Sequence, residues 1–152
     1  MRKYLFPGSF DPFTVGHADL VERALHLCDQ LVIAVGFNER KKGWIPVEER
    51  VRALKNLYAG EPRIEVVSYD TLTTDLAKRL DASAILRGVR TSADFLFEQT
   101  QADVNRRLTN IETVLLLSRP ELACISSSTV RELANFGHSI EDFLPRGIQY
   151  NL

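Results

Sequence analysis

The chain has 152 residues, 45% of them hydrophobic and 26% charged, with 19 basic and 20 acidic side chains giving a formal net charge of −1. That length and balance suit one globular domain around a single core and exclude a collagen, a coiled coil or a disordered segment. They also predict no general affinity for nucleic acid, which needs a surplus of Lys and Arg on one face, so any bound anion must be met locally.

At the N-terminus, Met1-Arg2-Lys3 is followed by only three apolar residues before Pro7, too few for a secretory signal. The longest apolar run, Leu31 to Phe37, is far shorter than the ~20 residues of a membrane span. A cytoplasmic location with no membrane partner is the expectation. Five short runs have the β-branched or aliphatic character of buried parallel strands: Lys3–Phe6, Leu31–Val35, Ile64–Ser68, Ala84–Leu86 and Thr113–Leu117. Helical stripes lie between them. Leu20, Val21, Ala24, Leu25 and Cys28 form the first, and Val47, Val51, Leu54 and Tyr58 the second, stopped by Gly60. Leu72, Leu76, Ala77 and Leu80 form a shorter one. A fourth helix, capped by Thr91 or Ser92, runs through Phe95 and Val104 towards Leu108. Two more are predicted, from Thr129 to Phe136 with Thr129 and Glu132 spaced as a capping box, and from Ser139 to Leu144 before Pro145. Strand and helix alternating in this way mean a parallel α/β sheet. Cys28 and Cys124 lie far apart without a CxxC partner, so two buried thiols are expected rather than a disulfide or a zinc site.

Ligands of such sheets bind outside the carboxyl ends of the strands. After the first strand comes Pro7 to His17, after the second Asn38 to Lys42, after the fourth Arg87-Gly88-Val89-Arg90, and the fifth leads through Arg119 to Ser126-Ser127-Ser128. Cations, hydroxyls and glycines on one sheet edge of a slightly acidic chain have the composition of a polyphosphate site. Glycines stand at 8, 16, 36, 43, 60, 88, 137 and 147. No two are separated by one residue and none precedes a lysine, so neither GxGxxG nor a Walker A loop is present. The histidines at 17, 26 and 138 have no HExxH spacing, and there is no GxSxG elbow. In the first loop, Gly8 permits a tight turn and Gly16 a close backbone approach at the positive end of a helix, where His17 can donate to a phosphate oxygen.

Thr14-Val15-Gly16-His17 resembles the (H/T)xGH signature of the nucleotidyltransferases related to class I aminoacyl-tRNA synthetases, and Ile125 to Glu132 resembles their second signature. Pro7-Gly8-Ser9-Phe10-Asp11-Pro12, Lys41-Lys42 before Glu48-Glu49-Arg50, Arg87 to Arg90 and Asp94-Phe95 narrow the resemblance to the bacterial phosphopantetheine adenylyltransferases, over almost the whole chain. The family places threonine at position 14, where nicotinate mononucleotide enzymes usually carry histidine. It usually carries an acidic residue where Leu96 stands.

The resemblance implies one Rossmann-like, doubly wound domain over residues 1–152, a five-stranded parallel sheet and a homohexamer. The implied reaction moves AMP from ATP to 4'-phosphopantetheine, giving dephospho-coenzyme A and pyrophosphate, with Mg²⁺ carried mainly by the phosphates and coenzyme A as a feedback inhibitor. His17 would stabilise the transition state, with Lys41 and Arg90 as further catalytic groups. Ser9, Lys41, Thr73 and Arg87 would bind the acceptor. ATP would be met by Ser9, Phe10, His17, Gly88, Val89, Arg90, Glu98 and the stretch Leu122, Ala123, Cys124, Ile125, Ser126, Ser127 and Ser128. Arg87 and Arg90 are also spaced to pair with Asp94 or Glu98 on the next helix. The rival expectations are another small-molecule nucleotidyltransferase and a catalytically silent nucleotide-binding module.

Overall fold

Leu5, Phe6, Val32, Ile33 and Ala34 are all buried although neighbours along a strand point to opposite faces, which requires a sheet covered on both sides. The computed structural model describes residues 1–151. Its five strands are β1 (Lys3–Gly8), β2 (Gln30–Gly36), β3 (Ile64–Tyr69), β4 (Ala84–Val89) and β5 (Glu112–Leu117). They pair in parallel in the order β3-β2-β1-β4-β5. The helices are α1 (Val15–Ala24), α2 (Val47–Leu57), α3 (Thr73–Arg79), α4 (Ser92–Thr109) and α5 (Ser127–Asn135). On one face Phe6, Ile33 and Val35 pack with Leu20, Val21 and Ala24 of α1 and Leu54 of α2. On the other, Leu5, Val32, Ala34 and Ile85 pack with Leu76 and Ala77 of α3. The parallel α/β sheet read from the alternation of elements, and the doubly wound form that the resemblance implied, are those observed.

Several boundaries differ from the sequence reading. β4 extends to Val89, so Arg87 and Gly88 belong to the strand rather than following it. A backbone ladder needs no apolar side chain, and Gly88 is there because a Cβ would lie 2.4 Å from Leu20 Cδ1, where α1 crosses the strand. α1 ends at Ala24; the stripe continues to Cys28 through a turn in which the Cys28 N–H and thiol both reach the Ala24 carbonyl. Ser126, not Thr129, caps α5, its Oγ accepting the Thr129 N–H at 3.1 Å. In place of a helix from Ser139 to Leu144 there is one 3-10 turn, Glu141–Phe143. Cys28 is buried, but Cys124 is exposed.

Long-range polar bonds hold the loops at the carboxyl edge. The buried Asp11 carboxylate accepts the Trp44 N–H on Oδ2 and the Ile45 N–H on Oδ1, each at 2.8 Å. Arg50, also buried, donates to the carbonyls of Ser9, Gly36 and Ile45. The loop after β1 and the loop after β2 are thereby one unit. α5 joins them through Ser127 Oγ on the Pro12 carbonyl and Arg131 Nη1 on the Asp11 carbonyl, both at 2.7 Å. Only Val130 of α5 is buried, so these bonds do much of the docking. Replacing Asp11 by Ala strips two backbone donors of their acceptor, at about 1–3 kcal/mol for each one left dry. Urea unfolding should show a lower midpoint at unchanged slope for Asp11→Ala and a smaller loss for Asp11→Asn; a wild-type midpoint for Asp11→Ala would contradict the assignment.

Candidate active site

β1 and β4 are neighbours at the point where the strand order reverses, and the crevice at their carboxyl ends is where such sheets bind ligands. A cleft of about 450 Å³ opens there, between Gly8–Phe10, the start of α1, the end of β4 and the start of α5. An adjoining cleft of about 220 Å³ shares Pro7, Arg87 and Glu98 with it and runs between α3 and α4.

His17 occupies the main cleft, and the turn that delivers it is built from the four residues Thr14 to His17. Thr14 is the N-cap of α1, and its Oγ1 accepts the His17 N–H at 3.3 Å. The Thr14 N–H in turn donates to His17 Nδ1 at 3.0 Å. This is a capping box with histidine in the place of the usual Glu or Gln. Since Nδ1 accepts, a neutral ring carries its proton on Nε2. Phe6, Phe10 and Phe13 surround the imidazole, with ring centroids 6.4, 5.0 and 5.3 Å away. Burial, reinforced by the guanidinium groups of Arg87 and Arg90, pulls the His17 pKa down from 6.5 to about 3. The residue is therefore a neutral hydrogen-bond donor at physiological pH.

Phe10 sits at φ 48°, a left-handed conformation that a bulky residue adopts only under constraint. Its ring covers Gly8, where a Cβ would lie 2.9 Å from Phe10 Cζ. A Cβ on Gly16 would meet Thr14 Oγ1 at 3.4 Å, an ordinary contact. The protein alone does not demand glycine at 16.

Arg87 is fixed by Glu98, donating to its carboxylate from Nε and Nη2 (both to Oε1, at 3.0 and 2.8 Å, and Nε also to Oε2 at 3.1 Å), and donates Nη1 to the Pro7 carbonyl at 2.8 Å. Of the five N–H groups of a guanidinium, one on Nη1 and one on Nη2 stay free for a ligand. Arg90 pairs with Asp94 at 3.3 Å. The two pairings available from sequence spacing are thus Arg87 with Glu98 and Arg90 with Asp94. At the opposite wall, the Ser127 and Ser128 N–H groups open α5 without an intrahelical acceptor, beside the hydroxyls of Ser126 to Ser128.

Of the residues expected at the site, Ser9, Phe10, His17, Arg87, Gly88, Arg90, Glu98, Leu122, Ile125, Ser126, Ser127 and Ser128 line the main cleft. Thr73 lines the second. Lys41 is exposed on the loop tied to Asp11 and lines neither cleft. Val89 is buried, and Val89, Ala123 and Cys124 also line neither. Arg119 is drawn away by Asp19, 2.6 Å from its Nε, in a network with Arg23. The sequence reading gave no role to Arg131 and gave Asp94 only as an ion-pair partner of Arg87 or Arg90, whereas the structure puts both at the cleft; both lie inside matched motifs, but their direction depends on loops distant in sequence. Among the described residues no group of three His, Cys, Asp or Glu side chains stands close enough to hold a metal ion.

Residues 5–133 match the cytidylyltransferase-like family model. The chain is 50% identical over 151 residues to the phosphopantetheine adenylyltransferase of Bacteroides thetaiotaomicron, covering 99% of this chain and all of that protein. It is 51% identical over 149 residues to that of Phocaeicola vulgatus, covering 98% of this chain and 99% of the relative. It is 40% identical over 146 residues to that of Caldanaerobacter subterraneus subsp. tengcongensis, covering 95% and 91%. The chain belongs to the phosphopantetheine adenylyltransferase family, within the cytidylyltransferase-like group.

The depressed pKa of His17 has a consequence for stability. Its folded-state value lies below the unfolded value of 6.5, so the contribution of the neutral ring is fully present above pH 6.5 and is lost as the pH falls from 6.5 towards 3. His17→Gln keeps a capping-box side chain but does not titrate. Its unfolding free energy should decline less steeply than that of the wild type between pH 6.5 and 4, with parallel curves above pH 7; parallel curves throughout would show that the ring is not held neutral.

Proposed function

We propose that this protein transfers the adenylyl group of ATP to 4'-phosphopantetheine, releasing pyrophosphate and dephospho-coenzyme A. The observation that carries this reading is the Thr14 N–H on His17 Nδ1, which leaves Nε2 to donate into a cleft lined by Arg87, Arg90 and the N-terminus of α5. In the reaction an oxygen of the acceptor phosphate attacks the α-phosphorus of ATP, and the bond from that phosphorus to the oxygen bridging to the β-phosphorus breaks. The nucleophile is already an anion, so no general base is required and catalysis rests on alignment and charge stabilisation. His17 donates to an α-phosphate oxygen as charge builds on it. Arg90 and the N–H groups of Ser127 and Ser128 hold the β- and γ-phosphates, and the stretch from Leu122 to Ser126 borders the nucleoside.

Ser9, the two free N–H groups of Arg87 and Lys41 meet the acceptor phosphate, Lys41 reaching in from its exposed loop. The pantetheine arm runs into the second cleft past Thr73. Mg²⁺, when bound, would neutralise charge on the ATP phosphates that carry it. Coenzyme A shares the acceptor arm and would compete for the same clefts. On α4, Phe97, Val104 and Leu108 share one face with Leu96 at its edge, and these four are 47–64% exposed, an apolar face suited to a homohexamer contact. No helix among the described residues is long and apolar enough to cross a membrane, and a cytoplasmic location fits the proposed substrates.

Offering ATP, CTP, phosphopantetheine and nicotinate mononucleotide in pairs and following pyrophosphate tests the reading: only ATP with phosphopantetheine should be productive, and a productive pair with CTP or nicotinate mononucleotide instead would overturn it. His17→Ala should lower kcat by ~10²–10³-fold, the usual loss of one oxyanion donor, in a protein that still folds. Near-normal turnover at saturating ATP would remove His17 from the mechanism. Lys41→Ala should raise the KM for phosphopantetheine far more than Lys42→Ala does, with ATP binding preserved in both; equal effects would mean that loop charge, not one placed ammonium, is what the acceptor meets.

A further inference from the structure

Phe13 and Thr14 supply consecutive backbone N–H groups at the entrance to α1. The Thr14 N–H ends on His17 Nδ1. The Phe13 N–H ends on the Tyr150 hydroxyl oxygen at 3.1 Å, 137 residues away in sequence. The segment that brings Tyr150 there is itself tied down: Ile148 packs against the core on the α1 and α2 side, the Gln149 carbonyl accepts from Arg52 at 3.0 Å, and the Asn151 N–H donates to Glu49. Phe13 is fully buried, with its ring tilted against the imidazole. The backbone that sets the histidine is therefore held from both sides, by the core through the Phe13 ring and by one phenol through the Phe13 amide.

We propose that Tyr150 is a positioning residue: by taking the Phe13 N–H, its hydroxyl fixes the Phe13–Thr14 backbone so that the Thr14 N–H keeps His17 in the tautomer protonated on Nε2. Burial holds the phenol pKa up at about 12, so the hydroxyl stays neutral across the working range and accepts without introducing a charge beside the ring. The link to turnover rests on the proposed role of His17; the link to the tautomer does not.

Tyr150→Phe in the full chain, with ¹⁵N-labelled histidine, tests it. The His17 ring nitrogens should move from the pattern of a single Nε2–H form towards a mixture containing Nδ1–H. kcat should fall about three- to tenfold, the fold-change of one lost neutral hydrogen bond, with both KM values within about twofold of wild type. Arg52→Met, which loosens the segment that carries Tyr150, should shift the tautomer no further than Tyr150→Phe does. An unmoved tautomer in Tyr150→Phe, or a larger shift in Arg52→Met than in Tyr150→Phe, would overturn the proposal. A tautomer shift with unchanged turnover would sustain the positioning role and count against His17 as the transition-state donor.

Discussion

The Thr14 N–H on His17 Nδ1 is the contact from which the chemistry of this protein follows. A histidine in water at neutral pH is a mixture of tautomers with a fraction protonated. Here a backbone donor claims one nitrogen, three phenylalanine rings flank the imidazole, and two arginines oppose a further positive charge. Only one form survives, with one proton that can be donated. The same bond closes the N-terminus of α1, so helix capping and preparation of the site are one interaction. A residue that must donate without accepting charge suits a reaction whose nucleophile arrives ionised.

Around that contact the molecule solves a problem of distance. The groups that line the cleft come from the loop after β1, α1, the end of β4, α4, the loop before α5 and α5 itself, and the sheet alone aligns only the strand ends. Asp11 and Arg50 tie the first two crossover loops together, Arg131 and Ser127 bring α5 against them, and Glu98 holds Arg87 over Pro7. Nearly all are side chain to backbone bonds or ion pairs in which a removed partner leaves a buried group exposed to no water. The site is accordingly rigid where the phosphates are proposed to react, whereas Lys41 stands on an exposed loop.

The sequence was most legible where geometry is periodic. Short β-branched and aliphatic runs located all five strands, and the spacing of Val47, Val51 and Leu54 or of Leu76 and Ala77 located helices, because a buried face repeats with the helix turn. It was least legible where polar residues continue a regular element. Arg87 and Gly88 read as loop yet extend β4, because the ladder bonds use backbone only. Most of the expected site residues do converge, since strand ends in a parallel sheet share one edge. The clasps formed by Asp11, Arg50, Arg131 and Tyr150 span tens of residues to more than a hundred, and no local pattern announces such partners. The Thr14–His17 box was within reach of its four-residue spacing, but histidine in the third helical position is not the residue that a capping box leads one to seek.

The most direct test of this account is to observe the His17 Nε2 proton itself. In the wild-type protein at pH 7, ¹H–¹⁵N spectra of the histidine side chains should show a slowly exchanging Nε2–H for His17, which moves downfield on addition of ATP and gains coupling to phosphorus across the new hydrogen bond. A proton found on Nδ1, or an Nε2–H indifferent to saturating ATP, would contradict the account at its centre.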